Sequence, residues 1–114
     1  MHTVKLADAP FYSAPGHSGM LMQRLQGMDA GPSDSVWIGL SVVEPGGGTT
    51  LTAAAVEKFY VVVEGTVQIS TQEPGSATSL GYLDSCRIAP GESRQISNLS
   101  AHKASLLLVM PLPK

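Results

Sequence analysis

Apolar and polar positions alternate along this chain in short runs, and no run keeps a helical period beyond about two turns. The β-prone runs are Gly19–Leu25 (GMLMQRL), Ser35–Val43 (SVWIGLSVV), Lys58–Val63 (KFYVVV), Thr66–Thr71 (TVQIST), Cys86–Ala89 (CRIA), Arg94–Asn98 (RQISN) and Lys103–Met110 (KASLLLVM). Turn signals separate them: APGHSG, GMDAGPSDS, EPGGG, VEG, EPGSATS and APGES. Short β-prone runs punctuated in this way predict an all-β sandwich or barrel. The segment LTAAAVEK is rich in helix-favouring Ala, but GGGTT and FYVVV hem it in and propensity does not assign it. In VVVEGTVQI, an apolar run meets Glu64-Gly65 and a second β-prone run follows. This predicts a hairpin with Gly65 at positive φ.

Composition narrows the possibilities. At 114 residues the chain is expected to form one domain, and 43% hydrophobic with 14% charged residues describes a folded rather than a disordered protein. A net charge of −2 with scattered Lys and Arg gives no footprint for nucleic acid. Cys86 is the sole cysteine, which rules out an internal disulfide or a Cys-based zinc site within one chain and suits a reducing compartment. MHTVKLADAPFYSAPG lacks the basic and apolar regions of a signal peptide, and SLLLVMPLP is too short to span a bilayer. The expected location is the cytoplasm, with no membrane partner.

Two stretches carry a resemblance. The first, Glu44–Gly65, opens on EPGGG and closes on FYVVVEG, an aromatic, an aliphatic run and a Glu-Gly turn. The second, APGESRQISN, sets Gly91 and Asn98 seven residues apart, with Pro90 one place from its usual position. In this order and spacing they resemble the two motifs of the cupin family, with TQEPGSATSL as the loop between them and KASLLLVM as a final strand. The resemblance implies a single cupin-type jelly-roll β-barrel domain over 1–114, with motif 1 at about 44–65 and motif 2 at about 83–98. It also implies a homodimer, as is common in the family.

In cupins the first motif carries His-x-His and a Glu, and the second a His, which together hold a metal. Here the Glu position is Lys58, and the His pair falls at Thr52 and Ala54, or at Leu51 and Ala53 if the turn is one residue longer. The second-motif His position is Arg94. Divalent cations need imidazole nitrogen or carboxylate oxygen, so the expectation is no metal and no cofactor. A rebuilt metal site, as in a divergent dioxygenase-like cupin, would need Glu57 turned inward by a bulge, with His17 and His102.

Strand alternation puts Tyr60 and Val62 on the same face as Lys58. If that face is the interior, Lys58, Tyr60 and Arg94, with Thr52 and Ala54, line a pocket suited to an anionic, carboxylate-like ligand. The alternative for the two cations is structural: Lys58 paired with Asp84 or Glu92, and Arg94 reaching the barrel mouth. The leading expectation is therefore a metal-independent small-molecule-binding protein. The alternative is a metal-free isomerase, lyase or cyclase using Lys58 as base or Schiff-base amine, Tyr60 as proton donor and His17 as acid/base. Trp37 and Phe59 read as core or dimer-face residues, Cys86 as a buried small apolar residue, and Met20 and Met22 share one strand face that could wall a pocket.

Overall fold

All seven predicted runs are strands in the structure, a computed structural model describing residues Met1–Lys114. The strands are β1 (Phe11–Tyr12), β2 (His17–Gln26), β3 (Val36–Thr49), β4 (Thr52–Ala53), β5 (Lys58–Glu64), β6 (Val67–Thr71), β7 (Thr78–Leu80), β8 (Ser85–Ile88), β9 (Ser93–Ser97) and β10 (Ala104–Pro111). The three that the alternation did not announce, β1, β4 and β7, are two or three residues long and offer no period to read. LTAAAVEK forms no helix; β4 and irregular chain occupy it.

Neighbours run in the order β7-β6-β9-β3-β10-β5-β8, with β2 on β3, β1 on β2 and β4 on β9. Every pairing is antiparallel. The result is a jelly-roll barrel in which β3 serves both walls. Its first half pairs with β2 and β10; Gly48, the last residue of the PGGG bend, pairs with Ser97 of β9. Gly48 cannot be replaced without displacing backbone, because a Cβ there would lie 2.1 Å from the Ile96 carbonyl oxygen.

The predicted VVVEGTVQI hairpin does not form. Gly65 has the expected positive φ of 70°. However, β5 pairs with β10 and β8 while β6 pairs with β9 and β7, so the Glu64–Thr66 turn is a corner between the walls. Glycine is needed there because a Cβ would meet the Lys103 carbonyl oxygen at 2.7 Å. The inward-facing valines on either side, Val62 and Val67, both join one core.

Burial in β3 and β5 alternates along the strand, as a pleated sheet requires. The inward residues Val43, Val62, Val67, Ile69, Ile96 and Leu106 plug one end of the barrel. Burying each of the larger ones contributes about 1.5–3 kcal/mol. The outward side of the same wall is also apolar: Leu21 lies beside Val42, Leu40 beside Leu107, and Leu107 beside Val61. All but Leu21 are half-buried by their neighbours, and Leu21 is 55% exposed.

Asn98 fastens the plugged end. It is 1% exposed, and its amide Nδ2 donates to the carbonyls of Val43 (2.9 Å) and His102 (2.8 Å). Its Oδ1 accepts from the Ser100 N–H (3.0 Å) and hydroxyl (2.7 Å). The Asn98 backbone exchanges hydrogen bonds with Gly46 and Gly47 in the β3 bend. Asn98→Ala strands the Val43 carbonyl and the Ser100 N–H and leaves the His102 carbonyl only the Ser100 hydroxyl as donor. We expect a loss of roughly 2–4 kcal/mol in unfolding free energy, read as a lower urea midpoint at unchanged slope.

Candidate functional site

Followed away from the plug, each inward row changes chemistry. On β5, Val62 gives way to Tyr60 and then Lys58; on β10, Leu106 gives way to Leu108 and Met110; on β9, Ile96 gives way to Arg94. Together with Met20, Met22 and Arg24 of β2 and Trp37 and Ser41 of β3, these residues enclose a cavity of about 220 Å³. That is below the about 300–1,000 Å³ of pockets for drug-sized molecules, so a small ligand fits it best. A larger hollow of about 420 Å³ lies outside the barrel between Gly46–Thr50 and Gln95–Leu99. Glycine and short polar side chains dominate its wall, and His17 is its only titratable side chain.

Three cations converge on the inner cavity, and no Asp or Glu lines it. Lys58 and Arg94 are 5% and 6% exposed, and Tyr60 is 3% exposed. Arg94 Nε donates to the Tyr60 hydroxyl at 2.9 Å, and one Nη1 hydrogen reaches the Thr50 carbonyl at 3.4 Å. Most of the guanidinium's five N–H donors are thus left without a protein acceptor. Lys58 Nζ forms neither a hydrogen bond nor an ion pair with any side chain. The partners considered for it are engaged elsewhere: Asp84 Oδ2 accepts from the Gly81 N–H and Glu92 Oε1 from the Ala89 N–H. Burial, and secondarily the Arg94 charge, lower the Lys58 pKa to about 8. Burial raises the Tyr60 phenol, an effect the Arg94 charge only partly offsets.

Arg24 holds the opposite side. Its guanidinium sits 4.2 Å from the Tyr12 ring centroid and 5.2 Å from that of Trp37, and the two rings meet edge to face at 5.6 Å. Cation–π attraction of about 0.5–2 kcal/mol per ring helps offset its desolvation. Nη1 reaches Asp29 at 3.3 Å, while Nε is buried with no acceptor.

Of the residues singled out in the sequence, Lys58, Tyr60, Arg94, His17, Met20 and Met22 all line this cavity. His17 Nδ1 donates to the Pro15 carbonyl at 2.8 Å, which leaves Nε2 unengaged. Thr52 and Ala54 lie outside. Thr52 pairs with Arg94 across β4–β9 on an exposed edge and shares a 2.8 Å hydrogen bond with the Thr50 hydroxyl. Trp37 is a buried core residue that also walls the cavity, whereas Phe59 points outward, 41% exposed. Cys86 is half-buried against the core, and burial raises its thiol pKa.

Tyr12 and Arg24 escaped the sequence reading. Arg24 was within reach, since it follows Met20 and Met22 at the same two-residue spacing; Tyr12 was not, because only β1–β2 pairing brings it over the cavity.

The donors here do not fit a divalent cation: one imidazole, no carboxylate and three cations. Glu57 is bonded to Arg87 outside, His102 is exposed, and no three His, Cys, Asp or Glu side chains come together anywhere. No helix is long and apolar enough to cross a membrane.

No protein-family model matches the chain. A protein named beta-D-galactosidase, from Mycobacterium tuberculosis, is 38% identical over 113 residues, 99% of this chain and 96% of that one. Among solved structures, the polyketide cyclase RemF from Streptomyces resistomycificus superposes with a TM-score of 0.86 at 21% identity, covering 97% of this chain and 79% of that one. A sugar phosphate isomerase of the cupin superfamily from Silicibacter pomeroyi gives 0.80 at 20% identity, covering 97% and 76%. An RmlC-like cupin from Shewanella frigidimarina gives 0.78 at 16%, covering 100% and 93%. The chain thus belongs to one family with that mycobacterial protein, matched along nearly its whole length, and its fold is the cupin-type barrel of these solved structures.

Proposed function

We propose that the protein is a metal-independent cupin that binds a small carboxylate-like anion inside its barrel. The observation that carries this reading is the convergence of Lys58, Arg94 and Arg24 on a cavity without a single carboxylate. Buried cations repel one another and cost desolvation, and an anion relieves both. The unspent Arg94 donors suit a carboxylate fork, Lys58 adds a point charge, and Met20, Met22 and Leu108 supply an apolar wall for the body of the ligand. The name of the mycobacterial relative would bring galactoside hydrolysis to mind. That chemistry ordinarily uses two carboxyl groups about 5–9.5 Å apart across the bond, and the cavity offers none. Metal-free catalysis through Lys58, Tyr60 and His17 is the second reading, favoured by the unpaired, pKa-lowered amine.

A second copy of this chain is the partner we propose for the outer wall. The centre of that wall, Leu21, Leu40, Val42, Val61 and Leu107, carries no charge, which suits the apolar core of an isologous two-fold contact.

The sole tryptophan, Trp37, reports on the cavity directly. Titrated with small carboxylates at pH 7, its emission should change saturably, and Arg94→Met should weaken binding at least about tenfold. Affinity should also fall as the pH rises through about 8, where Lys58 loses its charge. Binding untouched by Arg94→Met and Lys58→Met alike would reject the reading.

Lys58 also sets a stability expectation. Its folded pKa lies below the unfolded value, so the unfolded chain binds the extra proton and stability rises with pH above about 8. Lys58→Met should therefore be more stable than the parent at pH 7, with the advantage shrinking towards pH 10, as urea midpoints at several pH values will show. For the outer wall, sedimentation should find a dimer that Leu40→Lys or Leu107→Lys converts to a folded monomer; a monomeric parent rejects that assignment.

A further inference from the structure

We propose that Lys58 is a nucleophile that captures a 2-oxo acid as an imine, with Arg94 holding the acid's carboxylate and Tyr60 moving the protons. The inference rests on the anion-binding reading of the same cavity and names the class of molecule that enters it. Three observations converge on it. Lys58 Nζ is the one cavity cation with no hydrogen bond, ion pair or aromatic ring to hold it, unlike Arg94 and Arg24. Tyr60 lies two residues away on the same face of β5, and its oxygen already accepts from Arg94 Nε, so its own proton is free to be given. Arg94 is near enough for its charge to help lower the Lys58 pKa to about 8, which leaves an appreciable share of neutral amine near neutrality. Lys58 and Arg94 share a cavity of only about 220 Å³, and Arg94 bonds to Tyr60, two residues from Lys58 on the same face, which favours a substrate whose carbonyl and carboxylate occupy adjacent carbons.

The chemistry balances without any further reagent. The neutral amine adds to the carbonyl carbon, a C–N bond forms, and the carbonyl π pair moves onto oxygen. Tyr60 protonates that oxygen and recovers a proton from the nitrogen, giving a carbinolamine. Tyr60 then protonates the hydroxyl, which leaves as water while the nitrogen lone pair closes the C=N bond. The iminium proton returns to the phenolate, so the net change is amine plus ketone to imine plus water.

Sodium cyanoborohydride traps such an imine irreversibly. The full-length protein, incubated with pyruvate and this reductant at pH 7.5, should gain the mass of one reduced pyruvate per chain. Peptide mapping should place it on Lys58 at least about tenfold faster than on the exposed Lys5, Lys103 and Lys114. Lys58→Arg should abolish the adduct while keeping the cavity charge. Arg94→Met should slow trapping of pyruvate but not of acetone, which has no carboxylate. Equal labelling of all four lysines would falsify the proposal. Lactate, with a carboxylate and no carbonyl, separates the two readings. A Trp37 response to lactate without a Lys58 adduct from pyruvate overturns the imine and leaves anion binding in place; no response and no adduct overturns both.

Discussion

The barrel depends on a single carboxamide. Asn98 lies where β9 ends, and it bonds both to β3 with its bend and to the approach to β10. These segments carry backbone donors and acceptors that no ladder satisfies, and buried groups of that kind must find partners. A carboxamide offers two donors and an acceptor from one planar group, which neither a carboxylate nor an apolar residue can do. Once the bend is fixed, β3 can serve both walls, the apolar plug closes that end, and the cavity opens at the other.

Stability and chemistry are thereby divided along the barrel axis. Near Asn98 the inward side chains are Val, Ile and Leu, fully buried and mutually satisfied. Towards the mouth the same strands present Lys58, Arg94 and Arg24, whose burial opposes folding and is offset unequally. Arg94 is bonded to Tyr60, Arg24 rests on two aromatic rings, and Lys58 has only its lowered pKa. Buried charges offset so unequally mark this end of the barrel as the candidate site.

Much of this arrangement was legible in the sequence, and the reasons for the failures are physical. Alternation marks strands of four or more residues, so the seven longer runs could be read while the two- and three-residue β1, β4 and β7 could not. The spacing of Gly65, Gly91 and Asn98 carried the barrel because each answers to a backbone demand that few residues meet. The hairpin reading failed because a positive-φ glycine between two β-prone runs fixes a turn, not the partner of each strand; pairing is decided by which wall the flanking residues bury against. The inward placing of Lys58, Tyr60 and Arg94 could be read because strand parity and motif spacing are local quantities. Thr52 came from a count of motif spacing, which does not say which way a side chain faces on the two-residue edge strand β4, and Tyr12 was missed because only long-range pairing brings it to the mouth.

The position of β10 has a consequence for how the protein is made. This strand, Ala104–Pro111, lies between β3 and β5 and joins the two halves of the larger wall. Until it emerges from the ribosome, β3 and β5 each expose an unpaired apolar edge, and no tight hairpin links β5 to β6 to shelter them. Such edges are templates for association with other chains. The larger wall therefore cannot close before β10 has been made, and any chain that lacks this strand presents two such edges at once.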